Sequence, residues 1–243
     1  MKKKTILILG ASGLLGKDLY KKFKEKNCNV LGSDLNIEDL KDKNFYKVDF
    51  SNEGQIKKLI NTVNRKYKSI DIVVNAIYPK NTKKKTSFFQ QSKKDFLTKV
   101  TSHLSINFLI NKLFISYFLK NKLKGNIIHI SSIYGSFIPR FEIYKKQKFT
   151  MPLDYLIAKS SMDYSTKYLS KILLGSKIVI NNISPGGVFD NQDKNFVKKY
   201  SNYTNNKAML KVEDIFDIVN FLAFAKNLKI TGQNFIVDDG FSL

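Results

Sequence analysis

Tyr155 and Lys159 stand one helical turn apart within Asp154–Leu174, a stretch with the apolar spacing of a long helix. Tyrosine, with an ordinary pKa of about 10, is a poor base at neutral pH. An ammonium on the same helix face favours the phenolate. Tyr155 could then accept a proton from an alcohol, or donate one to a carbonyl in the reverse direction. A second set of residues suits phosphate. Gly10-Ala11-Ser12-Gly13-Leu14-Leu15-Gly16 joins a short apolar run to an amphipathic one. Glycines there permit a tight turn and close backbone approach to a pyrophosphate at a helix N-terminus. The spacing is G-x-x-G-x-x-G, one variation on the G-x-G-x-x-G of general dinucleotide folds. Asp34 follows Gly10 by 24 residues, at the end of the second apolar run. A carboxylate there can accept hydrogen bonds from ribose hydroxyls and would repel a 2′-phosphate, which favours NAD over NADP. The alternative reading of Asp34 is a turn aspartate. An oxidised nicotinamide near Tyr155 would add a second positive charge favouring the phenolate.

The elements that must position these groups alternate along the chain. Strands are expected at Thr5–Leu9, Asn29–Ser33, Phe45–Val48, Ile70–Asn75, Asn126–Ser131, Ile178–Ile183 and Asn234–Val237. Helices are expected at Leu14–Lys26, Gly54–Tyr67, Ser92–Val100, Ser105–Leu119, Asp154–Leu174 and Asp214–Ala225. This βα alternation predicts a Rossmann-type α/β fold, a doubly wound parallel sheet of about seven strands with helices on both faces. No repeat, linker or shift in composition marks a second domain, so residues 1–243 are expected to form one. Two irregular excursions, 136–153 and 186–210, follow strand carboxyl ends, the edge where such sheets bind ligands.

Composition excludes several classes. One cysteine, Cys28, rules out an internal disulfide framework, and with two histidines, His103 and His129, no metal centre is expected. Thr5–Leu9 is five residues long, too short for a secretory apolar region of about 7–15, so a cytoplasmic protein is expected. Ser105–Leu119 is interrupted by Asn111 and Lys112 and falls short of the roughly 20 residues of a membrane span. The formal charge is +22, which raises the question of a polyanionic partner. Arginine occurs only as Arg65 and Arg140, so 40 of the 42 basic residues are lysine, spread over the whole length. That distribution reads as an AT-rich codon bias, and no nucleic-acid or membrane partner is expected.

Further motifs complete a pattern. Asp49-Phe50 follows the third strand, Asn75-Ala76 the fourth, and Ser131-Ser132 the fifth; Pro185-Gly186-Gly187 follows the sixth, and Asp238-Asp239-Gly240 lies near the end. With Asn107 in a helix and Tyr155-Leu156-Ile157-Ala158-Lys159, they stand in the order of the short-chain dehydrogenase/reductase family, which the chain resembles over its whole length. The resemblance implies NAD(P)-dependent hydride transfer at a hydroxyl-bearing carbon. It implies Tyr155 and Lys159 in catalysis, Ser132 binding and orienting the reacting oxygen, and Asn107 holding a proton-relay water. Cofactor contacts are implied for Gly10, Ser12, Gly13, Leu14, Gly16, Asp34, Asp49, Phe50, Asn75, Ala76, Tyr155, Lys159, Pro185, Gly186 and Val188. Substrate contacts are implied for Ser132, Tyr155 and Gly187, and helices Ser105–Leu119 and Asp154–Leu174 are expected to pair subunits into a homodimer or homotetramer.

Three departures stand beside the matches. Gly13 precedes the family's usual central glycine by one residue, Ile77-Tyr78 replaces a glycine, and Asp190 stands where a cofactor-contacting threonine is usual. The 136–153 excursion, longer than the family's usual link, carries Arg140, Glu142, Lys145, Lys146 and Lys148. A cationic lid there, with Arg140 as clamp, would suit an anionic substrate; solvated loop charges are the equal alternative. Segments Phe141–Tyr144, Pro185–Gln192 and Val237–Leu243 are similar to bacterial flagellin-modification oxidoreductases of legionaminic-type nonulosonic acid pathways. This implies a sugar or amino-sugar substrate in surface-glycan biosynthesis. A reductase of 3-oxoacyl or other small carbonyl compounds, and a dinucleotide-sensing binding protein, are the competing readings.

Overall fold

A computed structural model describes residues 3–37, 42–79, 88–145, 150–225 and 229–243. Seven strands form one parallel sheet: β1 (Thr5–Leu9), β2 (Asn29–Asp34), β3 (Phe45–Lys47), β4 (Ile72–Asn75), β5 (Gly125–Ile130), β6 (Ile178–Pro185) and β7 (Asn234–Val237), in the order β3-β2-β1-β4-β5-β6-β7. The helices are α1 (Leu14–Lys24), α2 (Glu53–Tyr67), α3 (Lys93–Lys120), α4 (Leu153–Ile172), α5 (Lys194–Ser201) and α6 (Val212–Phe224). The expected doubly wound α/β fold is what the chain forms.

Strand sequences are apolar at nearly every position because both faces of the sheet are covered. Alternate residues sort into two cores. Ile6, Ile8, Val30, Ile72, Val74 and Ile128 pack with Leu19 and Phe23 of α1 and Ile215, Val219 and Leu222 of α6. Their neighbours Leu7, Leu9, Leu31, Val73 and Ile127 pack with Ile56, Leu59 and Val63 of α2 and Ile110, Phe114 and Phe118 of α3. The order reverses between β1 and β4, so the carboxyl ends of these two strands open a crevice.

Three of the differences from expectation bear on the site. The helices expected at Ser92–Val100 and Ser105–Leu119 are one helix, α3. No proline or glycine separates them, and Ser102 and Ser105 turn their hydroxyls back onto the carbonyls of Thr98 and Thr101, both at 2.7 Å. Serines satisfied that way remain in a helix instead of ending it. The 186–210 excursion contains α5, capped by Asp193, which accepts from Asn195 and Phe196. β6 runs two residues further, to Pro185, because β7 pairs with it there. Among the described residues no helix is long and apolar enough to cross a membrane.

Candidate active site

Four strand ends build the site. β1 delivers the glycine loop, β4 delivers Asn75, β5 delivers Ser131-Ser132 and β6 delivers Pro185-Gly186. Gly10 turns the chain with φ of +80°, a region that favours glycine, and its N–H donates to Ser33 O at 2.8 Å. A Cβ on Gly16 would lie 2.1 Å from Gly10 O, so α1 packs onto the turn as only glycine allows. Gly13 caps α1 without a side chain, and the first turn holds no acid. The bare N-terminus of α1 is therefore positive and open to an anion. Asp34 stands at the rim, accepting the N–H of Ser12 at 2.9 Å and that of Leu35 at 2.7 Å. A Cβ on Gly13 would meet only Gly10 O, at 3.3 Å, so the loop leaves room above it. The bare loop, the uncapped helix and the rim carboxylate fit a nicotinamide dinucleotide.

Asp49 and Phe50 serve the fold at this edge. The Asp49 carboxylate accepts from Ser51 N–H and Oγ, its N–H donates to Gln55, and Phe50 is buried in the core. Asn75 is buried and triply engaged. It donates Nδ2 to Asn107 Oδ1 at 3.3 Å, meets His129 Nδ1 at 3.0 Å, and accepts the N–H of Ile77. His129 Nε2 lies 3.0 Å from Asn111 Oδ1, and Asn111 donates to Asn107 O. An amide donor on one side and an amide oxygen on the other fix the tautomer as Nε2–H. Burial, then the charge of Lys159, lowers His129 to about 3, so it is neutral. Asn107 is held by this network. Ala76 stands beside it, its N–H donating to Leu9 O.

Ser132, Tyr155 and Lys159 come together as expected. Ser132 stands beside the Tyr155 hydroxyl, and its Oγ accepts the N–H of Tyr134 at 3.2 Å. Lys159 is buried, donates to Ile130 O at 3.0 Å, and lies 5.8 Å from the Tyr155 ring centre. Burial lowers Lys159 to about 8, opposed by the charge of Asp163. Burial also pushes Tyr155 up to about 12; the Ser132 side chain pulls it down, while Tyr78 and Tyr134 raise it. In the protein without nicotinamide, burial therefore leaves Tyr155 in its protonated form. Protonated Tyr155 with a cationic Lys159 behind it can donate a proton to a carbonyl held by Ser132. When bound, oxidised nicotinamide supplies a hydride acceptor and a positive charge that favours the phenolate.

Sequence reasoning passed over several neighbours. The Tyr78 ring stands edge-on to Tyr155 at 5.6 Å and beside His103 at 5.2 Å. Burial, followed by the charge of Lys159, lowers His103 to about 4. Asp154, buried ahead of Tyr155, accepts from Gln91 at 2.8 Å with Lys99 at 4.0 Å. Asp163 stands one turn beyond Lys159 and accepts from Ser131, Ser136, Asn182 and Asn234. An acid at that spacing on a helix already carrying Tyr155 and Lys159 was the available signal.

The two excursions are woven into the carboxy-terminal segment. Arg140 donates Nε to Phe241 O and Nη2 to Leu243 O, and its guanidinium lies 4.5 Å from the Tyr203 ring centre. Two of the guanidinium N–H donors are thus engaged within the protein, which gives Arg140 a structural role. Gly187 packs against Tyr200 and gives its N–H to the Tyr200 hydroxyl, and Tyr200 stacks on Phe241 at 4.0 Å. Gly186 N–H donates to Val237 O, Val188 bridges Leu210, and Asp190 N–H is held by Gln192. Lys146 and Lys148 lie outside the described residues.

A family model described as enoyl-(acyl carrier protein) reductase matches residues 11–242. The chain belongs to the short-chain dehydrogenase/reductase family. It is 30% identical to post-translational flagellin modification protein A of Campylobacter coli, over 100% of both chains. It is 27% identical to a 3-oxoacyl-(acyl-carrier-protein) reductase of Buchnera aphidicola, covering 99% of this chain and 98% of that one. Among solved structures, a short-chain dehydrogenase of Leptospira borgpetersenii with bound NAD+ matches with a TM-score of 0.89 and 28% identity, over 100% of this chain and 94% of that one. The protein is an oxidoreductase of nicotinamide dinucleotide type.

Proposed function

We propose that this protein, folded as one domain over residues 1–243, transfers a hydride between NAD(H) and a hydroxyl- or carbonyl-bearing carbon of a sugar or amino-sugar derivative in surface-glycan biosynthesis. The observation that carries the mechanism is the Tyr155 hydroxyl beside Ser132, with the Lys159 ammonium one turn behind it. Ser132 orients the reacting oxygen, Tyr155 passes the proton, and Lys159 stabilises the phenolate that results. Asn107, fixed by Asn75, marks the inner end of the proton path. Gly10, Ser12, Gly13, Leu14 and Gly16 hold the diphosphate, and Asn75, Ala76, Pro185, Gly186 and Val188 line the nicotinamide side.

NAD is favoured over NADP by the Asp34 carboxylate beside the glycine loop. The sugar class is supported by the full-length likeness to the Campylobacter flagellin modification protein. A homodimer or homotetramer is supported by exposed Phe108 on α3 and exposed Tyr164, Tyr168 and Ile172 on α4, an apolar face suited to a second subunit.

The test is a substrate panel read by NADH absorbance, with phosphosugars, nucleotide sugars and 3-oxoacyl thioesters side by side. Turnover is expected with a sugar derivative, and Tyr155→Phe should lower it about 10²–10⁴-fold while NAD still binds. Preference for the thioester overturns the substrate class; near-parent turnover in the variant overturns the mechanism.

A further inference from the structure

Tyr155, Lys159 and Asp163 stand at successive turns of α4, so all three share one face. Both Lys159 and Asp163 are buried, at 5% and 8% exposure. A buried carboxylate is costly unless its oxygens are hydrogen-bonded. Oδ1 of Asp163 accepts from Ser131 Oγ at 2.7 Å and Asn182 Nδ2 at 2.9 Å. Oδ2 accepts from Ser136 Oγ and Asn234 Nδ2, both at 3.1 Å. Four donors meet two oxygens, the arrangement that an acceptor-only carboxylate matches. Those donors come from the end of β5, the middle of β6, the start of β7 and the turn after Ser132. Gly135 in that turn has no room for a Cβ, which would lie 2.5 Å from Asp163 Oδ2. Among the described residues Asp163 forms no ion pair within 4.0 Å.

We propose that Asp163 is a positioning residue of the active site, fixing the Ser131–Ser132 strand end against α4 and supplying the negative charge that keeps Lys159 an ammonium. The inference rests on the Tyr155–Lys159 reading above. Ser131 precedes Ser132, so a 2.7 Å bond from its hydroxyl to Asp163 fixes the strand end from which Ser132 reaches Tyr155. The groups facing Lys159 are Tyr155 and Asp163 from α4, His103 from α3 and His129 from β5. Both histidines are neutral near pH 7, since burial holds them at about 4 and about 3. Asp163 is thus the facing group whose charge supports the ammonium, against burial that lowers Lys159 to about 8.

The sign follows directly. Lys159 loses its proton as pH rises through about 8, and removing the negative charge moves that loss to lower pH. Steady-state pH profiles of Asp163→Asn, which keeps the shape and removes the charge, should show the alkaline limb of kcat/KM about one unit lower. The rate at pH 8 should then fall about fivefold, with NAD affinity within twofold of the parent. Ser131→Ala keeps the charge and loosens the serine pair, so kcat should fall with the limb unmoved. If Asp163→Asn does not fold, the carboxyl ¹³C shift of Asp163 in the parent reads the same coupling. It should step at the pH of the limb and lose that step in Lys159→Met. An unmoved limb in Asp163→Asn, or no step in the parent, overturns the proposal. If Tyr155→Phe and Lys159→Met retain parent turnover, the mechanism fails; if they lose it while Asp163→Asn matches the parent, only the role of Asp163 fails.

Discussion

Around Gly10–Gly16 the site is made of backbone, whereas around Tyr155 it is made of side chains held by other side chains. In the first region the chemistry depends on what is missing: no Cβ at Gly10 or Gly16, no side-chain cap on α1, no acid in its first turn. In the second, Ser132, Tyr155, Lys159 and Asp163 come from two elements and are tied to β6 and β7 by hydrogen bonds. A diphosphate is recognised by dipoles that any sequence with the right turn can supply, while proton transfer needs particular acids at particular places.

The comparison breaks most readily at Gly16. If the glycine loop is a backbone device, Gly16→Ala should be the most disruptive single methyl in the protein, since its Cβ would meet Gly10 O at 2.1 Å. Overpacking of about 1–3 kcal/mol translates into a Tm fall of roughly 3–10 °C. Calorimetry and NAD titration should show both stability and affinity reduced; a parent-like Tm with parent-like affinity would mean the loop gives way. Asp34→Ala is smaller in effect and sharper in meaning. Losing a charged acceptor at the rim should narrow the NAD-over-NADP preference by about tenfold, measured as the ratio of the two affinities. An unchanged ratio would leave Asp34 as a turn residue that only holds Ser12 and Leu35. Arg140→Ala should have the least effect. Its bonds to the carboxy-terminal segment and its stacking on Tyr203 predict a Tm lower by about 2–4 °C. Because those donors are already engaged, KM should change less than threefold at low and high salt. A large, salt-sensitive rise in KM would restore Arg140 to the substrate.

The backbone region was the more legible in sequence. Glycine at Gly10 and Gly16 states its reason locally, in a positive φ and a close approach, and the strand before it and helix after it follow from apolar periodicity. Tyr155 and Lys159 were legible for a similar reason, because one helical turn brings them together without help. Asp163 shares that spacing, yet its meaning depends on Ser131, Asn182 and Asn234, which approach from 19 to 71 residues away in sequence. The contacts of Arg140 were hidden for the same cause. Its rarity in a lysine-rich chain was visible, but its partners, Phe241 and Leu243, lie about a hundred residues on. The two-helix reading of α3 failed at Ser102 and Ser105, where polar residues suggest a break and the structure shows hydroxyls satisfied within the helix.

That unbroken α3 has a mechanical consequence. Twenty-eight residues make a rod of about 42 Å. Near its far end the Tyr117 hydroxyl accepts the N–H of Ile70 at 3.0 Å and donates to Asn64 at 2.8 Å, which pins it to the base of the sheet. Lys99, close to Asp154, rides the opposite end, and Asn107 lies between. A swing of about 3° about Tyr117 would carry Lys99 through about 1.4 Å. Two separate helices would absorb such a swing at their joint. One helix instead carries it undiminished along its length, from Tyr117 past Asn107 to Lys99.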